Sequence, residues 1–128
     1  MITIDELAKR IRFNNGFQGF VVDNKTIYQK LLLAVSEICE AEEELRDGHA
    51  IEKIYFNTPE GERINYSAKY SLANTPIGVK PEGFPVEIAD AIIRLLDICV
   101  VFDINIEEVI LLKLEYNQTR PPKHGKQF

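Results

Sequence analysis

At 128 residues, with 45% hydrophobic and 27% charged side chains, the chain has the balance of one folded domain rather than of a disordered tract. Twenty acidic against fifteen basic residues give a net charge of −5. That excludes wrapping of a nucleic-acid polymer as the default function, because phosphate attraction dominates such affinity, but leaves a nucleotide within reach through a bridging cation. No apolar run approaches the ~20 residues that span a bilayer, and MITIDELAKRIR, acidic by its fifth residue, does not read as a secretion signal. Cys39 and Cys99 sit far apart in apolar stretches without a CxxC or Cys/His cluster. They read as a buried, reduced pair in a cytoplasmic protein rather than a zinc site.

In chain order, Thr3-Ile-Asp-Glu6 has the form of a capping box, and Ile4, Leu7, Ala8 and Ile11 recur at helical spacing. A helix is predicted over 4–13, stopped by Asn14-Asn15-Gly16. Residues 14–24 read as a loop rich in Gly and Asn, whose Phe17 and Phe20 could plug the end of a helical bundle. The second helix is expected from 24 or 25 to 47, with Ile27, Leu31, Val35, Ile38 and Leu45 as its apolar stripe and Gly48 beyond its end. His49 then reads as a cap on that helix rather than a ligand.

Residues 51–56 and 63–70 flank Thr58-Pro-Glu-Gly61 and predict a small hairpin or an irregular loop, and 74–83 reads as loop from its Pro and Gly content. The third helix is expected to start near Pro85 and is apolar nearly all round, as in a helix central to a bundle or an oligomer interface. The fourth, capped by Asn105 with Glu107 and Glu108 in its first turn, should run to about Thr119, where Pro121-Pro122 forbids continuation. The expected architecture is a single domain, an all-α four-helix bundle with a loop or hairpin insertion between the second and third helices.

Two pairs of carboxylates carry the chemistry. Glu37 and Glu40 lie three apart on the second helix, and Glu87 and Asp90 repeat that spacing on the third. Residues at i and i+3 are neighbours on a helix, so each pair converges. Val86, Ile88, Ala89, Ala91, Ile92 and Ile93 surround the second pair. Buried carboxylates repel one another unless a hard cation gathers their oxygens. All-oxygen donors favour Mg2+, or Mn2+, over zinc or copper. The bland alternative for Glu37 and Glu40 is a solvated acidic face running on through Glu42, Glu43 and Glu44. Asp97 either extends the seam or pairs with Arg94.

Glu37-Ile-Cys-Glu40 followed by Glu87-Ile-Ala-Asp90 resembles the ExxE…ExxD signature of the MazG-like nucleotide pyrophosphohydrolases. Lys80-Pro-Glu-Gly83 and the ending from Lys113 and Asn117 through Arg120-Pro to His124-Gly-Lys126 are similar to the same family's pattern, so the likeness covers roughly residues 27–128. Ser36 departs from it, where many relatives carry a further Glu, so that a supplementary ligand is either absent or replaced by a residue such as Glu44. Within the same resemblance Asn14, Phe17 and Phe20 of the first loop would stack on and hydrogen-bond a base. The resemblance implies Mg2+-dependent hydrolysis of a nucleoside triphosphate between its α and β phosphates. Glu37, Glu40, Glu87 and Asp90 would hold the metal. Lys113, Asn117, Arg120, Lys123, His124 and Lys126 would bind the phosphates. It also implies a homodimer or homotetramer with no membrane partner. The alternative is a degenerate bundle of the same type that binds a nucleotide or a protein without turnover.

The charge is unevenly spread. Residues 37–47 carry six acids against one arginine, the whole chain's excess in eleven residues, whereas residues 113–126 carry four bases against one acid.

Overall fold

The computed structural model describes residues 1–65 and 78–126. Four helices carry most of the described chain: α1 (Ile4–Phe17), α2 (Ile27–Arg46), α3 (Phe84–Val101) and α4 (Ile106–Gln118). Between α2 and α3 lie three short strands, β1 (Tyr55–Asn57), β2 (Arg63–Asn65) and β3 (Lys80–Glu82). The fold is therefore mostly helical but not all-α. The expected hairpin is present as β1 and β2, and the segment read as loop supplies a third strand. The other positions of these two expected segments, 66–70 and 74–77, lie outside the described residues.

The helix ends follow from local chemistry. The Thr3 hydroxyl accepts from the Glu6 backbone N–H while the Glu6 carboxylate accepts from the Thr3 N–H, a complete capping box. Asn14-Asn15-Gly16 does not stop α1. The helix continues to Phe17 and closes where Gly19 takes φ 87°. There the Phe20 N–H bonds Asn15 O and the Gly19 N–H bonds Gly16 O, which satisfies two terminal carbonyls. Asn15 is kept helical by a task of its own: its side-chain amide donates to Asp97 at 3.1 Å. α2 starts later than expected because the Asp23 carboxylate first accepts from the N–H groups of Lys25 and Thr26. It ends as expected at Gly48, φ 88°. Asn105 caps α4 by accepting from the Glu108 N–H.

The chain divides into two compact units, a terminal one (residues 1–27 and 96–128) and a central one (28–95). In the terminal unit α1 packs beside α4, and Ala8, Val22, Leu96 and Ile98 are buried. Asp97 is buried there as well, 4% exposed, with Arg12 Nε at 3.4 Å and Asn15 as partners. It neither pairs with Arg94 nor joins the Glu87 seam.

In the central unit the strands form one antiparallel sheet in the order β2-β1-β3, with Tyr55 opposite both Asn65 and Glu82 and Phe56 opposite Ile64 and Pro81. Alternation puts Tyr55 and Glu82 on one face and Phe56, 2% exposed, on the other. The strands turn through Gly61 at φ 86°, with Thr58 and Glu62 hydrogen-bonded across the turn. From β3 the chain enters α3 through Gly83, φ 121°, where a Cβ would stand 2.2 Å from the Lys53 carbonyl oxygen.

The buried face of α2 is the reverse of the expected one. Ala34, Glu37 and Ala41 are buried, whereas Leu31, Leu32, Val35 and Ile38 are exposed. Residues 34, 37 and 41 share an azimuth, and the two alanines leave room beside Glu37 for a partner side chain. Cys39, on the outward side, is exposed, and Cys99 is half-buried. Both cysteines are free thiols, and the expected buried pair is corrected in its burial. Among the described residues no helix is long and apolar enough to cross a membrane.

Candidate metal centre

Of the four expected ligands, Glu37, Glu87 and Asp90 come together: one oxygen from each lies within 4.8 Å of the others. Glu37 comes from the inner face of α2, and Glu87 and Asp90 from the first turns of α3. The i,i+3 spacing on α3 aims two carboxylates at the one on α2. Glu40, exposed, does not complete that triad. It lines, with Glu87, a cavity of about 240 Å³.

Arg94 anchors the cluster: its Nε donates to Glu37 Oε1 at 2.9 Å. Sequence reading offered Arg94 to Asp97. Arg94 follows Glu87 by two turns and shares its azimuth, which sets it on the carboxylate face but does not name Glu37 as its partner.

The electrostatics separate the carboxylates. Burial opposes the charge of Glu37, but the Arg94 hydrogen bond and contact with Glu40 outweigh it and hold Glu37 below its ordinary value. Glu87 goes the other way: burial first, then the neighbouring Glu40 and the charge of Asp90, push it up to about 8. Burial and the Glu37 charge raise Asp90, partly offset by Arg94 and Lys80. Glu40 is raised too: contact with Glu87 favours its charge, but contact with Glu37, burial and the charges of Glu37 and Asp90 prevail. Glu87 is 6% exposed, and its Oε2 has no hydrogen-bond partner among the described residues. A buried acceptor without a donor costs about 1–3 kcal/mol, more when charged. A hard cation would remove that cost, and the all-oxygen donor set suits Mg2+ or Mn2+. The residues present therefore fit a divalent cation.

A second group adjoins the first. Glu44, Glu82 and Glu87 also offer oxygens within 4.8 Å of one another. Glu44 is fixed by the Tyr55 hydroxyl, which donates to its two oxygens at 2.8 and 3.1 Å, and by His49 Nδ1. His49 is thus a carboxylate partner, not only a helix cap. Burial raises Glu44, but the bonds to His49 and Tyr55 bring it below its ordinary value. Burial and the Glu44 carboxylate push the Tyr55 phenol up to about 12. The Arg63 guanidinium and the Lys53 ammonium lie over the Tyr55 ring, 4.5 and 5.4 Å from its centre. Lys80 Nζ is 3.0 Å from Glu82 Oε1. Sequence reading missed Glu82 because its segment looked like loop. The strand pairing that sets it opposite Tyr55 is non-local.

The expected phosphate-binding residues belong to the terminal unit. Lys113 and Arg120 flank the Tyr116 ring, 4.7 and 5.6 Å from its centre. Asn117 carries a buried Oδ1 without a hydrogen-bond partner among the described residues. Lys123, at φ 55°, and Lys126 are exposed and lie at a short 3-10 turn, Pro122–Gly125. The His124 side chain lies outside the described residues. Phe17 and Phe20 are exposed, so neither plugs a core.

Compared with known proteins, the chain matches no protein-family model, no curated protein and no solved structure at a significant level.

Proposed function

We propose that the protein is a MazG-like pyrophosphohydrolase, splitting a nucleoside triphosphate between its α and β phosphates with Mg2+ to give the monophosphate and pyrophosphate. The observation that carries this reading is the convergence of Glu37, Glu87 and Asp90 from two helices, with a buried Glu87 oxygen that has no hydrogen-bond partner among the described residues. Such a cluster is expensive without a cation and supports a purpose for one. The bound cation would supply charge neutralisation for the triphosphate and acidify an attacking water.

The chain's own residues divide the remaining work. Arg94 holds Glu37 charged and oriented. Glu87, pushed up to about 8, and Asp90, raised by burial and the Glu37 charge, would hold the cation with Glu37. Glu40 borders the cavity beside them as the fourth carboxylate of the signature. The phosphate-binding role of Lys113, Asn117, Arg120, Lys123, His124 and Lys126 rests on the sequence pattern alone. The exposed apolar stripe of α2 supports a homodimer or homotetramer in the same reading.

The test is a panel of ribo- and deoxyribonucleoside triphosphates with Mg2+, its products resolved by chromatography. Monophosphate and pyrophosphate in equal amounts are expected. Orthophosphate without pyrophosphate overturns α–β cleavage. Nucleotide binding without any product favours a binding module.

A further inference from the structure

We propose that Glu44, Glu82 and Glu87 form a second divalent-cation subsite that shares the Glu87 carboxylate with the Glu37–Glu87–Asp90 triad. The proposal rests on the reading that the first triad holds a cation. Three observations carry it. The oxygens of Glu44, Glu82 and Glu87 approach one another within 4.8 Å, the span that a single ion's ligands occupy. Glu87 is common to both triads, is 6% exposed, and has an oxygen without a hydrogen-bond donor among the described residues. The three carboxylates also border one cavity, together with Glu40 and Lys80.

The surroundings of Glu44 match those of a ligand rather than of a solvated acid. Ligating carboxylates are held by hydrogen bonds from a further shell, which fixes their direction. Tyr55 and His49 supply that shell here. Tyr55 is itself fixed in β1, whose register with β3 puts it opposite Glu82. The β1–β3 pairing thus organises one ligand directly and a second through the Tyr55 hydroxyl. Lys80 supplies positive charge to one oxygen of Glu82. Two cations held by the shared Glu87 would supply the chemistry of a two-metal site, charge stabilisation at both the attacking and the leaving oxygen of a phosphoryl group.

Mn2+ is the probe, with the full chain stripped of metal and titrated by equilibrium dialysis and electron paramagnetic resonance. The wild type is expected to bind two Mn2+ per chain with a spin-coupled spectrum. Glu82→Gln should bind one, with an uncoupled spectrum, and Asp90→Asn should lose the other. Tyr55→Phe should weaken the second ion roughly ten-fold and spare the first. A wild type that saturates at one uncoupled Mn2+, kept by Glu82→Gln and lost by Asp90→Asn, overturns the second subsite and leaves the first standing. One ion lost by Glu82→Gln but kept by Asp90→Asn overturns the sharing and the assignment of the first triad. No binding overturns both. The wild-type spectrum decides by itself if a variant fails to fold.

Discussion

Glu87 is a carboxyl whose burial and acidic neighbours favour a proton. Its pKa, pushed up to about 8, fixes the sign of a pH effect. The folded, cation-free chain holds a proton that the unfolded chain releases above its ordinary value of 4.5. The associated stability is present below 4.5 and is lost as pH rises through about 8. Glu40 and Asp90, also raised, act in the same direction. Glu37 and Glu44 act oppositely, losing their contribution as pH falls below their ordinary range. Calorimetry of the cation-free chain should therefore show a Tm that declines from pH 5 to pH 8. Glu87→Gln, which stays neutral, should flatten the decline and stabilise the cation-free chain at pH 8 by on the order of 1 kcal/mol or more. The same variant should lower pyrophosphohydrolase turnover by about 100-fold or more, since even residues that only support a ligand are worth 10–100-fold. Added Mg2+ should raise the wild-type Tm more at pH 8 than at pH 6, because at pH 6 it competes with a proton. A wild-type Tm that climbs from pH 5 to pH 8 without metal contradicts this assignment. The ligand spacing behind these effects was legible in the sequence, because i,i+3 geometry is local. The Arg94–Glu37 pair was not, because it joins residues 57 positions apart and Asp97 offered a closer acid.

Elements differ in how much of themselves they declare. α4 was readable from end to end, since its cap and its proline stop are local signals. α1 overran its expected stop because Asn15 is held by Asp97, 82 positions away. β3 was invisible: three residues containing a proline carry no strand pattern, and only pairing with β1 makes them one. α2 was read a few residues too long at its start and with the wrong buried face. The rule that apolar stripes face inward failed because its inner face carries Glu37 between alanines and opposes Arg94. Gly83 is where β3 is joined to α3, and its requirement can be tested. Gly83→Ala would drive a Cβ to 2.2 Å from the Lys53 backbone oxygen at a φ that alanine avoids. The loss should be about 3 kcal/mol or more by urea denaturation, given the cost of backbone strain plus an overlap that no flexible side chain can relieve. Gly19→Ala and Gly48→Ala meet no atom within 4 Å, so they isolate the φ penalty and should lose only about 1 kcal/mol. Equal losses at all three positions would remove the special role of the β3–α3 junction.

For the molecule as a whole, the exposed apolar surface of α2 is what the proposed self-association would use. On α2, Tyr28, Leu31, Leu32, Val35 and Ile38 recur at intervals of three and four, an unbroken apolar stripe on the side away from Glu37. Leu32 is 69% exposed and Val35 52%. Burying such side chains fully is worth about 1.5–3 kcal/mol each, so a stripe of five offers several kcal/mol even when half of it is already covered. That is enough to drive association once the loss of translational freedom is met. A second copy of the chain supplies the same stripe, and two-fold pairing of like surfaces is the commonest closed arrangement. Light scattering should therefore give a mass of at least twice the 14.7 kDa of one chain at micromolar concentration. Leu32→Lys combined with Val35→Lys should return it to a single chain with its helical circular dichroism intact, because both side chains lie outside the core. A wild type that scatters at 14.7 kDa across that range removes self-association as the use of the stripe. The same double variant also isolates the two faces of α2. Because the apolar stripe and the Glu37 face are about half a turn apart, a monomer that still takes up Mn2+ shows that the carboxylate site is built within one chain. A monomer that loses Mn2+ shows that assembly holds the site together.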